Sequence, residues 1–302
     1  MALSKVQTSV ITDDAVTGAK IENNPTIAGN LTTAGTFTSR GIDDNADATA
    51  INITSGENVG IGVVPETTWN SNIDALQLGL GASIYGDNTA TGLQISANAV
   101  ATLGSSLNGY KYIGSDKAST YQQYDGEHNF RVASSGSADG AITWSTAMTI
   151  NNTGAVTKPL QPAFHVHKNG TNVTNIPTGD STLTWAAERF DQNSDFDLAN
   201  NRFTAPVTGK YFLQLHVRLM ELDISANYIF LSINTSNKEY NFIIDPDFGD
   251  SDPAYYSIGF SVLADMDAND TVNVLYSQLG GAAQIDIDGR NNYTWFSGYL
   301  VA

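Results

Sequence analysis

The sequence predicts a mostly β protein, an extended trimeric β shaft followed by a C-terminal β-sandwich, on three observations. Thr, Asn, Ser, Gly and Ala are abundant while Lys, Arg and Glu are scarce, which suits turns and strands better than surface helices carrying Glu/Lys pairs. Short alternating segments broken by Gly-containing turns recur from about residue 27 to 158. Beyond Lys158-Pro159-Leu160-Gln161-Pro162 the strands lengthen and become amphipathic. Two prolines three apart favour extended backbone and cannot join a central ladder, so this stretch marks the domain boundary.

The first 40 residues stand apart. Between residues 11 and 20, Thr12 or Asp13 can cap a short helix that Gly18 ends. One or two turns of isolated helix are marginal in water, so the segment orders only when docked. Residues 41–158 read as the shaft. Its pattern is clearest at residues 28–37, 51–62 and 148–156, each with one or two apolar side chains per strand. Such strand pairs are unstable alone. Three identical chains wound about one axis would pool their thin apolar stripes into a shared core. The repeats are too irregular for a solenoid within one chain. Tyr110, Tyr112, Tyr121, Tyr124, Phe130 and Trp144 interrupt the shaft, as a small β-knob whose aromatics pack in a core or between chains. A sugar-stacking platform is the functional alternative.

Residues 159–302 form the head. Tyr211, Leu213, Leu215, Val217 and Leu219 share one strand face, and Phe212, Gln214, His216, Arg218 and Met220 the other. Further strands are expected at 227–233, 240–244, 256–263, 272–278 and 293–301, separated by Asp, Asn and Gly turns. Six or more strands at this spacing, with no helix candidate, predict a sandwich or barrel. The last strand is apolar on both faces, Tyr293, Trp295, Tyr299 and Val301 on one and Phe296 and Leu300 on the other. Only one face of a sandwich sheet meets the core, so a neighbouring subunit is expected to cover the second.

Charge and cysteine usage exclude several classes. Fourteen basic and 31 acidic side chains give a net charge of −17, which disfavours nucleic-acid binding. There is no cysteine, hence no disulfide framework and no thiolate site. No apolar run approaches the roughly 20 residues of a membrane span. The first residues lack the apolar core of a secretory signal, which fits manufacture in a host cytoplasm and release by lysis.

Four segments in order carry a resemblance. Asn201-Arg202-Phe203-Thr204-Ala205-Pro206-Val207-Thr208-Gly209-Lys210-Tyr211-Phe212 resembles the second-strand signature of C1q-like, TNF-type jelly rolls. Pro162-Ala163-Phe164-His165-Val166-His167 resembles their first strand, Ala268-Asn269-Asp270-Thr271-Val272 a late turn, and Trp295-Phe296-Ser297-Gly298-Tyr299-Leu300 the closing strand. The resemblance implies a ten-stranded jelly roll that forms homotrimers, of the cysteine-free bacterial and phage branch. Ser4-Lys5-Val6-Gln7-Thr8-Ser9-Val10-Ile11-Thr12-Asp13-Asp14-Ala15-Val16 is similar to phage fibre N-termini, and Asn58-Val59-Gly60-Ile61-Gly62 and Tyr121-Gln122-Gln123-Tyr124-Asp125-Gly126 to their shafts.

Candidate sites follow. Ile11, Asp13, Asp14 and Val16 are expected to attach the chain to a tail adaptor or baseplate protein. Phe212, Trp295, Phe296, Tyr299 and Leu300 are expected to pack the trimer. Asp245, Asp247, Asp250 and Asp252, with Tyr255 and Tyr256, form a loop longer than a hairpin needs, a candidate receptor loop. Its oxygens could hold Ca2+, although the spacing is not that of an EF-hand. The acidic run 265–270 reads as solvated turn residues. His165 and His167 share a strand face, and three chains could present six imidazoles to an axial transition metal. That requires the strand to lie on the axis; interface or solvent-facing histidines are the plainer reading. No hydrolase triad, phosphate-binding loop or metalloprotease motif occurs, and neighbouring loop carboxylates do not make a glycosidase pair.

These readings converge on a non-enzymatic homotrimeric tail fibre that adsorbs to a host-surface sugar or protein. A depolymerase tail spike and a bacterial surface or matrix protein with the same head are the alternatives.

Overall fold

The computed structural model describes residues 50–102, 109–282 and 284–302. Among them every regular element is a strand. Ile11, Asp13, Asp14, Val16, the expected short helix and the repeat at 28–37 lie outside the described residues.

The first strands are β1 (Ile51–Ile53), β2 (Val59–Ile61), β3 (Ile73–Leu78), β4 (Ala82–Asp87), β5 (Ala90–Ala97), β6 (Val100–Ala101) and β7 (Tyr110–Lys111). They continue with β8 (Ala118–Tyr124), β9 (Glu127–Ala133), β10 (Ser145–Ile150) and β11 (Val156–Thr157). Nine form one sheet in the order β1-β2-β3-β4-β5-β8-β9-β10-β11, and β6 pairs with β7. The segments 51–62 and 148–156, read in the sequence as repeats of the shaft, are the two edges of a single sheet. Its core gathers Trp69, Ile73, Tyr85, Val100, Tyr110, Tyr112 and Ile142. Trp69 tilts against Tyr85 at 5.0 Å between ring centroids, and Trp144 meets Tyr110 edge-on at 5.7 Å.

After Lys158-Pro159-Leu160-Gln161-Pro162 come β12 (Ala163–His167), β13 (Ser181–Thr182), β14 (Ala187–Asp191), β15 (Phe196–Asp197), β16 (Arg202–Thr204) and β17 (Gly209–Met220). The last are β18 (Ala226–Thr235), β19 (Glu239–Ile244), β20 (Tyr255–Met266), β21 (Thr271–Gly280), β22 (Asp286–Ile287) and β23 (Trp295–Leu300). They build a jelly-roll sandwich. One sheet runs β14-β12-β23-β17-β20 and the other β15-β16-β21-β18-β19; β22 is added at β17 and β13 at β21.

Alternation on β17 works as the sequence requires: Tyr211, Leu213, Leu215, Val217 and Leu219 are all buried. They meet Ile229, Leu231 and Ile233 of β18 and Val272 and Val274 of β21 in one core. The segment 201–212 has a physical logic. Phe203 and Ala205 are buried, and the Tyr211 hydroxyl donates to the Val207 carbonyl at 2.7 Å, closing the corner that leads into β17. Asn201 adopts φ 53°, and its side-chain oxygen accepts from the Trp185 amide at 2.7 Å.

Gly298 lies where β23 crosses this core. A Cβ there would sit 2.7 Å from Leu213 Cδ2 and 2.8 Å from Phe164 Cε1, so Gly298→Val overpacks the centre of the sandwich. The expected loss is about 3 kcal/mol, read as a lower melting temperature in calorimetry.

Candidate functional site

The sheet β14-β12-β23-β17-β20 has an inner face in the core and an outer face that no element among the described residues covers. Pairing sets Tyr299 beside Phe212, and Phe212 beside Leu263. The rings of Phe212 and Tyr299 lie 5.5 Å apart. Phe190 and Tyr299 are each 49% exposed, and Tyr255 and Leu263 each 60%. Tyr299, Phe212 and Leu263 form one row across three strands, with Phe190 and Tyr255 elsewhere on the face, and contiguous exposed apolar side chains are the usual mark of an interaction surface.

Beside that row, imidazoles and an indole stack. Trp295 lies between His165, at 5.3 Å, and His216, at 5.6 Å and nearly parallel. His216 Nδ1 donates to the Tyr293 carbonyl at 2.7 Å. His167 Nδ1 accepts from the Asn169 amide at 3.1 Å, which requires that nitrogen to be unprotonated. Burial pushes the pKa of His165 down, with the Arg189 and His167 charges adding to it, and burial with Arg189 does the same to His167. Both are held neutral. Neutral histidines suit metal ligation, but within one chain no three His or carboxylate groups converge on a metal-sized site among the described residues. His165 is engaged in stacking.

Of the expected trimer-packing residues, Phe212, Trp295 and Tyr299 stand on the outer face. Phe296 does not. It is fully buried inside one chain, 5.2 Å from Phe164, and has no surface to offer a neighbour. Leu300 is half-buried against the same core. The inward side of β23 is filled by its own chain, and the outward side is free.

A buried ion cluster, which the sequence presents only as an Asp288-Gly289 turn, closes one end of this face. Asp288 is 1% exposed in its side chain and pairs with Arg218 and Arg290. The Arg218 guanidinium lies over the Tyr293 ring at 3.3 Å and faces Tyr255 at 4.8 Å. Burial raises the Asp288 pKa, but hydrogen bonds from Arg290 and Arg218 outweigh it and hold the carboxyl at about 2, against an ordinary 3.8. A depressed carboxyl stabilises the fold fully above pH 4 and loses that contribution as pH falls to about 2. The shift corresponds to about 2 kcal/mol. Acid titration of stability should show this loss, and Asp288→Asn should flatten the curve in that window.

The acidic loop is exposed and lies between β19 and β20. Its carboxylates do not converge on a cation. Asp245 accepts from the Asp247 amide, while Asp252 accepts from the Ile224 amide at 3.0 Å and Gln284 at 2.9 Å, pinning the loop to its neighbours. The calcium expectation therefore finds no cage among the described residues. Tyr255 stands on the outer face by Arg218, and Tyr256 stacks on Phe248 at 5.0 Å. In the run 265–270, Asp270 accepts from the Asp267 amide and Ser236 within a turn where Asn269 takes φ 76°. Among the aromatics between residues 110 and 144, Tyr110 and Tyr112 are buried, whereas Tyr124 lines an open cleft of about 520 Å³ with Asn88, Thr89, Thr91 and Asp125.

The family model "C1q domain" matches residues 163–301. Among solved structures, the globular domain of zebrafish complement 1qA is similar at 17% identity, covering 47% of this chain and 98% of that one with a TM-score of 0.35. Murine APRIL at pH 5.0 is similar at 12% identity, with 47% and 99% covered and a TM-score of 0.34. Eiger TNF from S. frugiperda is similar at 14% identity, with 47% and 93% covered and a TM-score of 0.34. No curated protein matches the chain. Residues 163–301 thus match the C1q domain and fold as a jelly roll of the C1q/TNF-like type.

Proposed function

We propose that the protein is a structural component of a phage virion, a homotrimeric tail fibre that adsorbs to the host cell surface. Domains of the C1q and TNF type are generally binding modules and not enzymes. The observation that carries the reading is the uncovered aromatic face of the sheet β14-β12-β23-β17-β20, with Phe212, Leu263, Tyr299 and the Trp295 stack. Three copies packed through it would bury what one chain leaves in water. They would also present three copies of the loop with Asp245, Asp247, Asp250, Asp252, Tyr255 and Tyr256, raising avidity for a sugar or protein receptor. The N-terminal residues Ile11, Asp13, Asp14 and Val16 would dock a tail adaptor or baseplate protein. The chain would be made in the host cytoplasm and leave by lysis.

Light scattering of the purified chain should give three times its 32.2 kDa mass. Antibodies to it should decorate the tails of particles from a lysate carrying its gene and block their adsorption. A monomeric chain, or particles that neither bind antibody nor lose adsorption, would overturn the reading.

A further inference from the structure

The nine-stranded sheet is inside out. Its covered face carries many polar groups, with Gln77, Ser83, Gln94, Ser96, Thr120, Gln122, Asn129 and Arg131 all buried beside the apolar Ile73, Ala75, Tyr85, Ala118 and Ala133. The polar groups bond to one another. Ser96 and Thr120 share a hydrogen bond of 2.8 Å, Gln94 accepts from Tyr110 at 2.7 Å, and Arg131 donates to Gln122 at 2.5 Å. The uncovered face is the apolar one. Register places Ile53, Val59, Leu76, Ile84, Ile95, Tyr121, Phe130 and Met148 in one row across eight neighbouring strands. Ile61, Leu78 and Val132 lie in the row on one side, and Leu93 and Ile150 on the other.

Alternation with period two makes the two faces differ but does not decide which is covered. In a single chain of this kind the polar face should meet water. Here polarity has been spent inside, and large aliphatic side chains such as Ile53, Ile95 and Val132 stand exposed. With strands about 4.8 Å apart and same-face residues about 6.8 Å apart, the three rows span roughly 35 by 15 Å, on the order of 500 Å². That is at the upper end of what one chain leaves exposed.

We infer that this face is a self-association surface, covered by the same sheet of other copies of this chain. Three observations select that occupant. Among the described residues of the three rows, Asp74 and His128 are the titratable side chains apart from Tyr121, so copies with a net charge of −17 can approach here without bringing their charge together. The face is held rigid, with Tyr121 stacked on Phe130 at 4.8 Å and bonded to His128 Nδ1 at 2.5 Å, so little ordering cost remains on association. Finally, five residues separate β11 from the C1q domain. A trimeric head would hold three such sheets at an effective concentration on the order of mM. The inference rests on the trimeric reading in that last respect. A hollow of about 400 Å³ between Leu76, Ile84 and Leu93, with the carboxylates of Glu57 and Asp74 also in its lining, gives a neighbour's side chain a seat.

The chain has no cysteine, so one engineered thiol per chain reports on the face. Leu76→Cys, Ile95→Cys and Phe130→Cys are made singly in the full chain, with Leu80→Cys, 84% exposed in its native form, as the open control. The three face thiols should react with a maleimide at least tenfold more slowly than the control. At least one should be joined by a short bis-maleimide into covalent dimers, a product that only two copies can make. Fast labelling in a chain that light scattering shows to be trimeric would overturn the inference and leave the trimer reading standing. A monomeric chain would overturn both. Slow labelling without cross-linked dimers at any position would mean that the cover is not a second copy of this face and overturn it as well.

Discussion

Phe164→Ala will lower the stability of the C1q domain by about 4 kcal/mol. Phe164 is 1% exposed, and its ring sits 4.7 Å from Phe203, 5.1 Å from Phe196 and 5.2 Å from Phe296. Those rings come from β12, β15, β16 and β23, and so from both sheets of the sandwich. Truncation removes the one side chain that touches all three, and rings fixed on paired strands cannot collapse far into the gap. With roughly 2–4 °C lost per kcal/mol in a domain of this size, calorimetry should record a fall of about 10 °C. A cost below about 1 kcal/mol would mean that the two sheets are joined elsewhere.

The residues around Phe164 were also the most legible in the sequence. Five alternating apolar residues on β17 name the core directly, because period two on a long strand leaves only two faces to choose between. The segment 201–212 and the closing strand 295–300 carried the family resemblance through residues whose packing is now explicit: Phe203, Tyr211 and its bond to Val207, Phe296 and Gly298. The first sheet was not legible, for two physical reasons. Its edges, β1 and β11, are about a hundred residues apart in sequence yet belong to one ladder, and nothing local in 51–62 or 148–156 encodes that. Nor does the alternation of Leu93-Gln94-Ile95-Ser96 reveal that Gln94 and Ser96 are inside and Leu93 and Ile95 outside. Assigning covered faces by hydrophobicity gives the opposite answer. Asp288 was missed because an Asp-Gly pair reads as a turn; its burial depends on Arg218, 70 residues away. Phe296 was placed at an interface because both sides of β23 are apolar, and pairing alone tells which side is inward.

On the proposed trimer, Leu263→Asp and Tyr299→Asp will each release monomers that remain folded. Both side chains already face water in the single chain, so their replacement should change the melting of a monomer by no more than about 0.5 kcal/mol. In the assembly the same carboxylate would be enclosed with its copies, against like charges and without a partner. Enclosing an unpaired charge costs several kcal/mol, and at 1.4 kcal/mol per decade an association weakened by about 4 kcal/mol is roughly a thousandfold looser. Sedimentation at micromolar concentration should then find a folded monomer where the unmodified chain is a trimer. Acid should weaken the folded chain itself through a different group. His165 and His167 have pKa values below the ordinary 6.5, so the folded chain favours their neutral forms. Their contribution is complete at neutral pH and declines as pH falls through 6.5, where the unfolded chain takes up protons first. Protonated His167 can no longer accept from Asn169, and a charged His165 would be partly desolvated and repelled by the Arg189 charge. His165→Gln should therefore shift the acid midpoint of unfolding downward, measured by circular dichroism on the full chain.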